Sequence, residues 1–271
     1  MIRVGRRVLG ARQINHLVRF EPVLELIAQA APHGGSVLDI GSGSHGITSL
    51  LGDRFQTTLL DADFTDYGAA TGDATGANWV RGDVRALPFG DRAFDVALAI
   101  DLLEHVPAID RTQAVAEICR VAERLAVIAV PSGEEALAAD RRLAEALRAK
   151  RDYVPPWIEE HLENGFPDRS QLAATASRFG AVQLFGNENI AAHTWLIKAE
   201  LSPISGAALR LACRPIEHLL ASRRRRSRRL AATILHQIRG CDRPPTYRSI
   251  VGIDTRAVHD YSHTPSATQH S

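Results

Sequence analysis

Residues 36–46 read Ser36-Val37-Leu38-Asp39-Ile40-Gly41-Ser42-Gly43-Ser44-His45-Gly46, and this stretch decides the fold. Its apolar first half predicts a buried strand, which ends just before a turn rich in glycine. Glycine takes positive φ values at little cost and has no Cβ, so the backbone of such a turn can approach a ligand closely. A strand followed by a glycine turn is typical of the first βα unit of a parallel α/β sheet that binds a nucleotide-like molecule.

Carboxylates stand at the ends of this strand and of the strands predicted after it. Asp39 precedes the turn, where a carboxylate disfavours a pyrophosphate and favours a ligand with an ammonium group. Asp61 ends the next apolar run, where an acid can accept hydrogen bonds from ribose hydroxyls, and Asp63 is an alternative in the same Asp-Ala-Asp segment. Asp83 and Asp101 follow two further predicted strands. The sequence therefore predicts one ligand cleft at the carboxyl edge of the sheet.

Four segments carry a resemblance to a known family: "VLDIGSG", "GDVRALPF", "FDVALAIDLLEHV" and "RVAERLAVIAVP". In this order they resemble the successive motifs of class I S-adenosylmethionine-dependent methyltransferases, and most of all the type-11 group that acts on small molecules and glycans. The resemblance covers residues 30–135 strongly and the rest of the chain loosely. It implies a Rossmann-like α/β fold, with a mostly parallel seven-stranded sheet, an antiparallel last strand and, in this chain, a helical insertion.

The resemblance also implies which residues hold the cofactor S-adenosylmethionine. Asp39, Gly41, Ser42 and Gly43 would take its methionine part, and Asp61 its ribose hydroxyls. The rest of the expected set is Gly46, Ala62, Asp83 and Val84 (the last two beside adenine), together with Asp101 and Leu102 near the sulfonium. The family often has Cys or Gly-Pro inside the turn, whereas this chain has Ser42 and Ser44-His45, and His45 is expected to face solvent.

The implied reaction moves a methyl group from the sulfonium to an oxygen or nitrogen of a small molecule, glycan or glycolipid. The base that removes the acceptor proton is expected to be His105 or His161, with His193 as a further candidate and positioning alone as an alternative. No metal site is expected. Tyr153 and Trp157 are candidates to stack on a sugar or aromatic ring.

Two other function classes are alternatives to methyl transfer. An NAD(P)-dependent oxidoreductase is disfavoured by Asp39, by the adenine signal at Asp83 and by the lack of a Tyr-x-x-x-Lys pair. A catalytically inactive cofactor-binding or regulatory protein of the same fold is the other alternative.

The apolar pattern predicts helices over 14–31, 110–124, 134–151 and 170–179. It predicts strands near 36–40, 56–61, 77–81, 94–100, 125–130, 181–186 and 246–253, and an irregular lid over 152–169. Residues 1–256 are expected to form a single domain, in which 188–243 are a helical insertion between the last two strands. In the alternative, residues 193–196 are the last strand. Residues 257–271 lack an apolar period and are expected to be a disordered tail.

Charge is divided unevenly along the chain. Residues 1–200 carry 20 basic and 27 acidic side chains, whereas residues 201–256 carry 12 arginines against 3 acids. Six of those arginines lie between Arg223 and Arg229, flanked by apolar segments. The tract is either a solvated surface or a peripheral contact with anionic membrane, and nucleic acid is an unlikely partner because no aromatic residues are interleaved.

The compartment is predicted from cysteine usage and from the absence of export signals. Three isolated cysteines and no signal-like segment favour a cytoplasmic protein, with any membrane contact at the inner face.

Overall fold

A computed structural model describes residues 14–43, 46–64, 76–151, 153–222 and 224–256. The segments 1–13, 65–75 and 257–271 and residues 44, 45, 152 and 223 lie outside the described residues, and the expected tail and His45 are among them. The strands are β1 (Gly35–Ile40), β2 (Phe55–Asp61), β3 (Asn78–Arg81), β4 (Phe94–Ile100), β5 (Ala122–Pro131), β6 (Ala181–Asn189) and β7 (Thr246–Asp254). The helices are α1 (Ile14–Ala30), α2 (Thr48–Leu51), α3 (Arg111–Val121), α4 (Glu134–Arg151), α5 (Pro156–Asn164), α6 (Arg169–Ala176), α7 (Ile190–Leu201), α8 (Pro203–Leu220) and α9 (Arg225–Ile238).

The strands form one seven-stranded sheet in the order β3-β2-β1-β4-β5-β7-β6. The pairs among β1 to β5 are parallel, whereas β7 runs antiparallel to both of its neighbours, β5 and β6. Parallel pairing places the carboxyl ends of β1, β2, β4 and β5 at one edge of the sheet. The predicted fold class is confirmed.

The sheet is covered on both faces because successive side chains of its central strands point to opposite sides. Val37 of β1 packs in the cluster that contains α1, α8 and α9, whereas Leu38 packs in the cluster that contains α3 and α6. β4 shows the same alternation at Val96 and Ala97. Both faces of β1 and β4 are therefore buried, and only their ends are open to a ligand.

Three sequence-based boundaries differ from the structure. The helix predicted over 110–124 ends at Val121, because Ala122 already pairs with Phe94 of β4 and begins β5. The lid predicted as irregular over 152–169 contains α5, which starts at Pro156, where the missing N–H of proline costs no helical hydrogen bond. The alternative that places the last strand at 193–196 is wrong, since these residues lie in α7.

Candidate functional site

The glycine turn joins β1 to α2 and is held closed by backbone contacts. Gly41 has φ 70°, and its N–H donates to the carbonyl of Leu60 over 2.7 Å. A Cβ on Gly41 would lie 2.8 Å from the Leu102 side chain. Only glycine therefore lets the turn pass this close to the segment that follows β4.

Asp39 supports the far side of this turn from inside the protein. Its carboxylate is buried and accepts the N–H of Ile47 over 2.8 Å. A Cβ on Gly46 would come within 2.5 Å of the same carboxylate oxygen. The structure thus gives Asp39 a visible role in shaping the turn, and Gly46 is required for the carboxylate to fit.

Asp61, the last residue of β2, connects the second strand to the turn. Its Oδ2 accepts the N–H of Gly43 over 2.8 Å, and its Oδ1 accepts the N–H of Asp63 over 3.3 Å. Asp63 and Ala62 are exposed, whereas Asp61 is half-buried at the strand end. Of the two acids in this segment, Asp61 is the one that the sheet places against the glycine turn.

Asp83 follows β3 and is already paired within the chain. Its carboxylate is exposed and accepts hydrogen bonds from the Arg85 guanidinium, the shortest over 2.6 Å. These hydrogen bonds lower the pKa of Asp83 below its ordinary value. Val84 beside it is buried. A donor on a bound ligand would share the Asp83 carboxylate with Arg85.

Asp101 follows β4 directly and lies in a buried ion network. Arg248 of β7 donates two hydrogen bonds to its carboxylate, over 2.7 and 2.9 Å, and Arg19 of α1 donates a third. Arg248 also donates to Glu188 over 3.1 Å. Burial acts to raise the pKa of Asp101, but the charges of Arg248 and Arg19 outweigh it and hold the pKa well below the usual range. The Asp101 carboxylate is thus ionised and is held in place by the two arginines.

A pocket of about 290 Å³ opens beside this network, and it is called the central pocket below. It lies between α1, the segment after β4, the end of β5, α5, α7 and β7. Its lining is polar and charged for the most part: Asn15, His16, Arg19, Asp101, Glu104, His105, Pro131, Trp157, His161, His193, Ile197, Glu200, Leu201, Tyr247 and Arg248. Trp157 therefore lines the pocket, whereas Tyr153 does not and is 58% exposed.

His161 and His105, the two expected bases, meet at the rim of the central pocket. Their ring centroids lie 5.3 Å apart. The Nδ1 atom of His161 lies 2.7 Å from Asp140 of α4, and that of His105 lies 2.6 Å from Glu160 of α5. A carboxylate at Nδ1 fixes the ring and its tautomer and leaves Nε2 as the nitrogen available to a ligand.

The two histidines differ in their surroundings. His161 is buried, and the Asp140 carboxylate that holds it also accepts the hydroxyl of Tyr247 over 2.9 Å. His105 is partly exposed. Burial and the nearby His161 lower the pKa of His105 below its ordinary value, against the opposing effect of Glu160. His105 is therefore neutral at pH 7.

Two further carboxyl groups of the central pocket have raised pKa values. Glu104 is 1% exposed, and neither of its carboxylate oxygens has a hydrogen-bond partner among the described residues. Burial, together with the negative charge of Asp101, raises the pKa of Glu104 well above its ordinary value. Burial also raises the pKa of Glu200 to about 7. The central pocket thus contains two carboxyl groups, those of Glu104 and Glu200, that are costly to ionise. Carboxyl groups with such shifted pKa values are typical of functional sites.

His193, the third candidate base, lies against the ring of Tyr247. Its ring stacks on the Tyr247 ring at 3.5 Å, and its Nδ1 lies 2.9 Å from Glu188. Its Nε2 is buried without a hydrogen-bond partner among the described residues. The sequence analysis missed Glu104, Arg19 and Glu200; Glu104 had a signal, since it directly precedes His105.

Comparisons with known proteins bear on the fold and on the domain that carries the glycine turn. Residues 38–130 match a family described as a methyltransferase domain. A Haemonchus contortus phosphoethanolamine N-methyltransferase 2, solved in complex with S-adenosyl-L-methionine, is 14% identical, with 87% of this chain and 52% of that chain covered and a TM-score of 0.52. An Anabaena variabilis protein described as a methyltransferase from an antibiotic biosynthesis pathway is 14% identical, with 85% and 96% covered and a TM-score of 0.52.

These two structures share the fold, and the family match carries the activity. The matched residues run from β1 to β5 and so contain the glycine turn, Asp61 and Asp101. Residues 38–130 of this chain are therefore an S-adenosylmethionine-dependent methyltransferase domain.

Proposed function

We propose that the chain methylates a hydroxyl or amino group of a small polar acceptor, such as a sugar or the headgroup of a glycolipid, that binds in the central pocket. The observation that carries the proposal is the position of this pocket. It begins at Asp101, directly after β4, and Leu102 packs against Gly41 of the glycine turn. A volume of about 290 Å³ suits one ring-sized acceptor.

We propose that the glycine turn and the strand ends hold the cofactor. Gly41, Ser42 and Gly43 would line the methionine part, Asp61 would accept from the ribose hydroxyls, and Asp83 with Val84 would flank adenine. When bound, S-adenosylmethionine supplies an electrophilic methyl group. Asp39 acts by keeping the turn in shape through Ile47, and Leu102 separates the turn from the central pocket.

Asp61→Ala is expected to weaken the binding of S-adenosylmethionine by about 1.5–3 kcal/mol, or roughly 10- to 150-fold, because a charged hydrogen-bond acceptor is lost. The same change removes the acceptor for the Gly43 N–H. Calorimetry on the purified proteins measures this effect. Asp63→Ala is the matched control, since Asp63 is exposed two residues further on, and it should bind almost normally. Equal affinity in the wild type and Asp61→Ala would contradict the assignment.

The residues at the rim of the central pocket would act on the acceptor. Trp157 offers an apolar ring to one face of it, and Glu200 offers a carboxyl group for its polar substituents. His161 and His105 would assist the loss of its proton, which typically contributes a factor of about 10² to 10⁴ to the rate. Arg111 supports the rim, since it donates to the carbonyls of Leu103 and Gly165 and so ties α5 to the segment after β4.

The class of acceptor is tested with labelled cofactor and an extract separated into small molecules, lipids, protein and nucleic acid. The wild type is expected to label the small-molecule or lipid fraction. His161→Gln is the negative control and should transfer little label. It alters the rim of the central pocket and leaves the glycine turn intact. Label in the protein or nucleic acid fraction, or in none, would count against the proposal.

We further propose that α8 and α9 bring the enzyme to anionic membrane. Exposed arginines cluster at the start of α9: Arg224, Arg225, Arg226, Arg228 and Arg229. Ile204 and Leu211, which are 86% and 70% exposed, lie seven residues apart and so share one face of α8. Among the described residues no helix has the length and apolarity to cross a bilayer. Exposed basic and apolar side chains on two successive helices suit reversible peripheral contact.

Replacing the five exposed arginines at the start of α9, from Arg224 to Arg229, by Gln is expected to abolish co-sedimentation with anionic liposomes. Each arginine near such a surface contributes about 1 kcal/mol, and the attraction weakens at high salt. The matched control carries Gln at Arg141, Arg142, Arg148, Lys150 and Arg178, which are exposed elsewhere, and should still bind. If the wild type ignores anionic liposomes at low salt, or prefers nucleic acid, the membrane proposal is wrong.

A further inference from the structure

We propose that Glu104, His105 and His161 form a binding site for a divalent transition-metal ion at the rim of the central pocket. One potential ligand atom from each residue lies within 4.8 Å of the other two. A set of two imidazoles and one carboxylate is a known donor set for ions such as Zn²⁺ and Fe²⁺. The inference rests on the proposed function, because it assigns these side chains a way to act on the acceptor.

The first supporting observation is the state of Glu104. Its side chain is buried, lines the central pocket and leaves both carboxylate oxygens without a hydrogen-bond partner among the described residues. A buried polar group without a partner is costly, and a carboxylate more so than a neutral group. A bound cation would give the Glu104 oxygens the partner that they lack, as Arg248 and Arg19 do for Asp101.

The second observation concerns the Nδ1 atoms of His105 and His161. Each Nδ1 lies within 2.7 Å of a carboxylate, Glu160 for His105 and Asp140 for His161. Metal-ligating histidines bind a carboxylate or carbonyl in this way, which orients the ring and makes the other nitrogen a better ligand. Tyr247 in turn fixes Asp140 by donating its hydroxyl. The two rings are thus held by a supporting shell from α4, α5 and β7.

The geometry requires a small closure of the site. Bonds of about 2.0–2.2 Å to an ion place ligand atoms roughly 3.3–3.6 Å apart, so the ligand atoms would move closer by about 1 Å. Three protein ligands leave a coordination position open on the pocket side. An acceptor hydroxyl bound there would lose its proton to water more easily, and its oxygen would form the bond to the methyl group as the sulfonium–methyl bond breaks. In this arrangement His105 and His161 serve as ligands and not as bases.

The test is calorimetric titration of the full chain, freed of metal by a chelator, with Zn²⁺ alone. We expect one ion per chain. Glu104→Gln and His161→Ala should each weaken binding by at least about 10-fold, and Asp140→Asn by about 10- to 100-fold, because it loosens a ring that ligates. His193→Gln is the matched control, since His193 is buried beside the same pocket with a carboxylate at its Nδ1, and it should bind Zn²⁺ like the wild type.

Two results would overturn the metal site: no stoichiometric binding by the wild type, or equal binding by the wild type and His161→Ala. Thermal melting of each variant separates a lost site from a lost fold. Because this readout needs no acceptor, it is independent of the methyl-transfer assay. If Zn²⁺ does not bind but labelled methyl is still transferred, the proposed function stands and the metal site fails.

Discussion

His161→Ala is expected to lower turnover by about 10² to 10⁴ while leaving the affinity for S-adenosylmethionine almost unchanged. The physical reason is the place of this ring. It is buried at the rim of the central pocket, its Nδ1 is held by Asp140, and its remaining nitrogen is available to the acceptor or to an ion. The glycine turn packs against Leu102, which does not line the central pocket, so cofactor binding should be spared.

Single-turnover assays with labelled cofactor, together with calorimetry, separate the two effects. His218→Ala is the control, because His218 is exposed on α8. Asp140→Asn should lower turnover in the same direction, since an amide no longer fixes the His161 tautomer as a carboxylate does. Normal turnover in His161→Ala would leave the positioning of the acceptor as the only catalytic device and would remove His161 from the mechanism.

Arg248→Met is expected to destabilise the protein by about 3–5 kcal/mol. Methionine has a similar length, but it removes the cation that the buried carboxylates of Asp101 and Glu188 share. Since the pKa of Asp101 is held low in the folded state, its contribution to stability is present above the unfolded pKa and is lost as the pH falls toward the folded one. The effect of Arg248→Met should therefore be largest near neutral pH and shrink in acid.

Urea denaturation of the variants measures this loss. Arg256→Met is the matched control, because Arg256 lies just past β7 and pairs with Asp254 at an exposed position, where an ion pair contributes about 0–1 kcal/mol. Adding Asp101→Asn and Glu188→Gln to Arg248→Met should restore part of the stability, since the uncompensated charges are removed. A loss no greater than that of Arg256→Met would show that the network is not a stabilising element.

The half of the fold around the glycine turn could be predicted because it depends on residues that are neighbours in the sequence. The strands β1, β2 and β4 each contain a short apolar run, and the acid at the end of β2 or just after β4 stands next to that run in the sequence. The position of Asp61 and Asp101 at strand ends needed no knowledge of distant partners. The same local pattern connects these motifs to the family, so fold and cofactor could be predicted together.

The contents of the central pocket could not be predicted in this way. His161 was a candidate from its place after the fifth strand, but its partner Asp140 lies on an unremarkable polar helix rich in Ala, Arg and Glu. Arg248 lies in a predicted strand, where an arginine is usually at the surface. The burial of Arg248 against Asp101 follows from the pairing of β7 with β5. The start of β5 at Ala122 likewise depends on its partner Phe94. Such features depend on tertiary contact and leave no periodic signal.

The network around Asp101 has a consequence for the order in which the enzyme can become competent. Arg19 and Arg248 reach Asp101 from 82 positions before it and 147 positions after it. The pocket wall is thus closed by the beginning and the end of the described chain, and contacts of such long range are slow to form. A chain that lacks β7 would retain the whole segment that matches the methyltransferase family, yet it would lose Arg248 from the wall of the central pocket. The central pocket therefore depends on contacts across the whole described chain, whereas the glycine turn and the strand ends beside it are encoded locally.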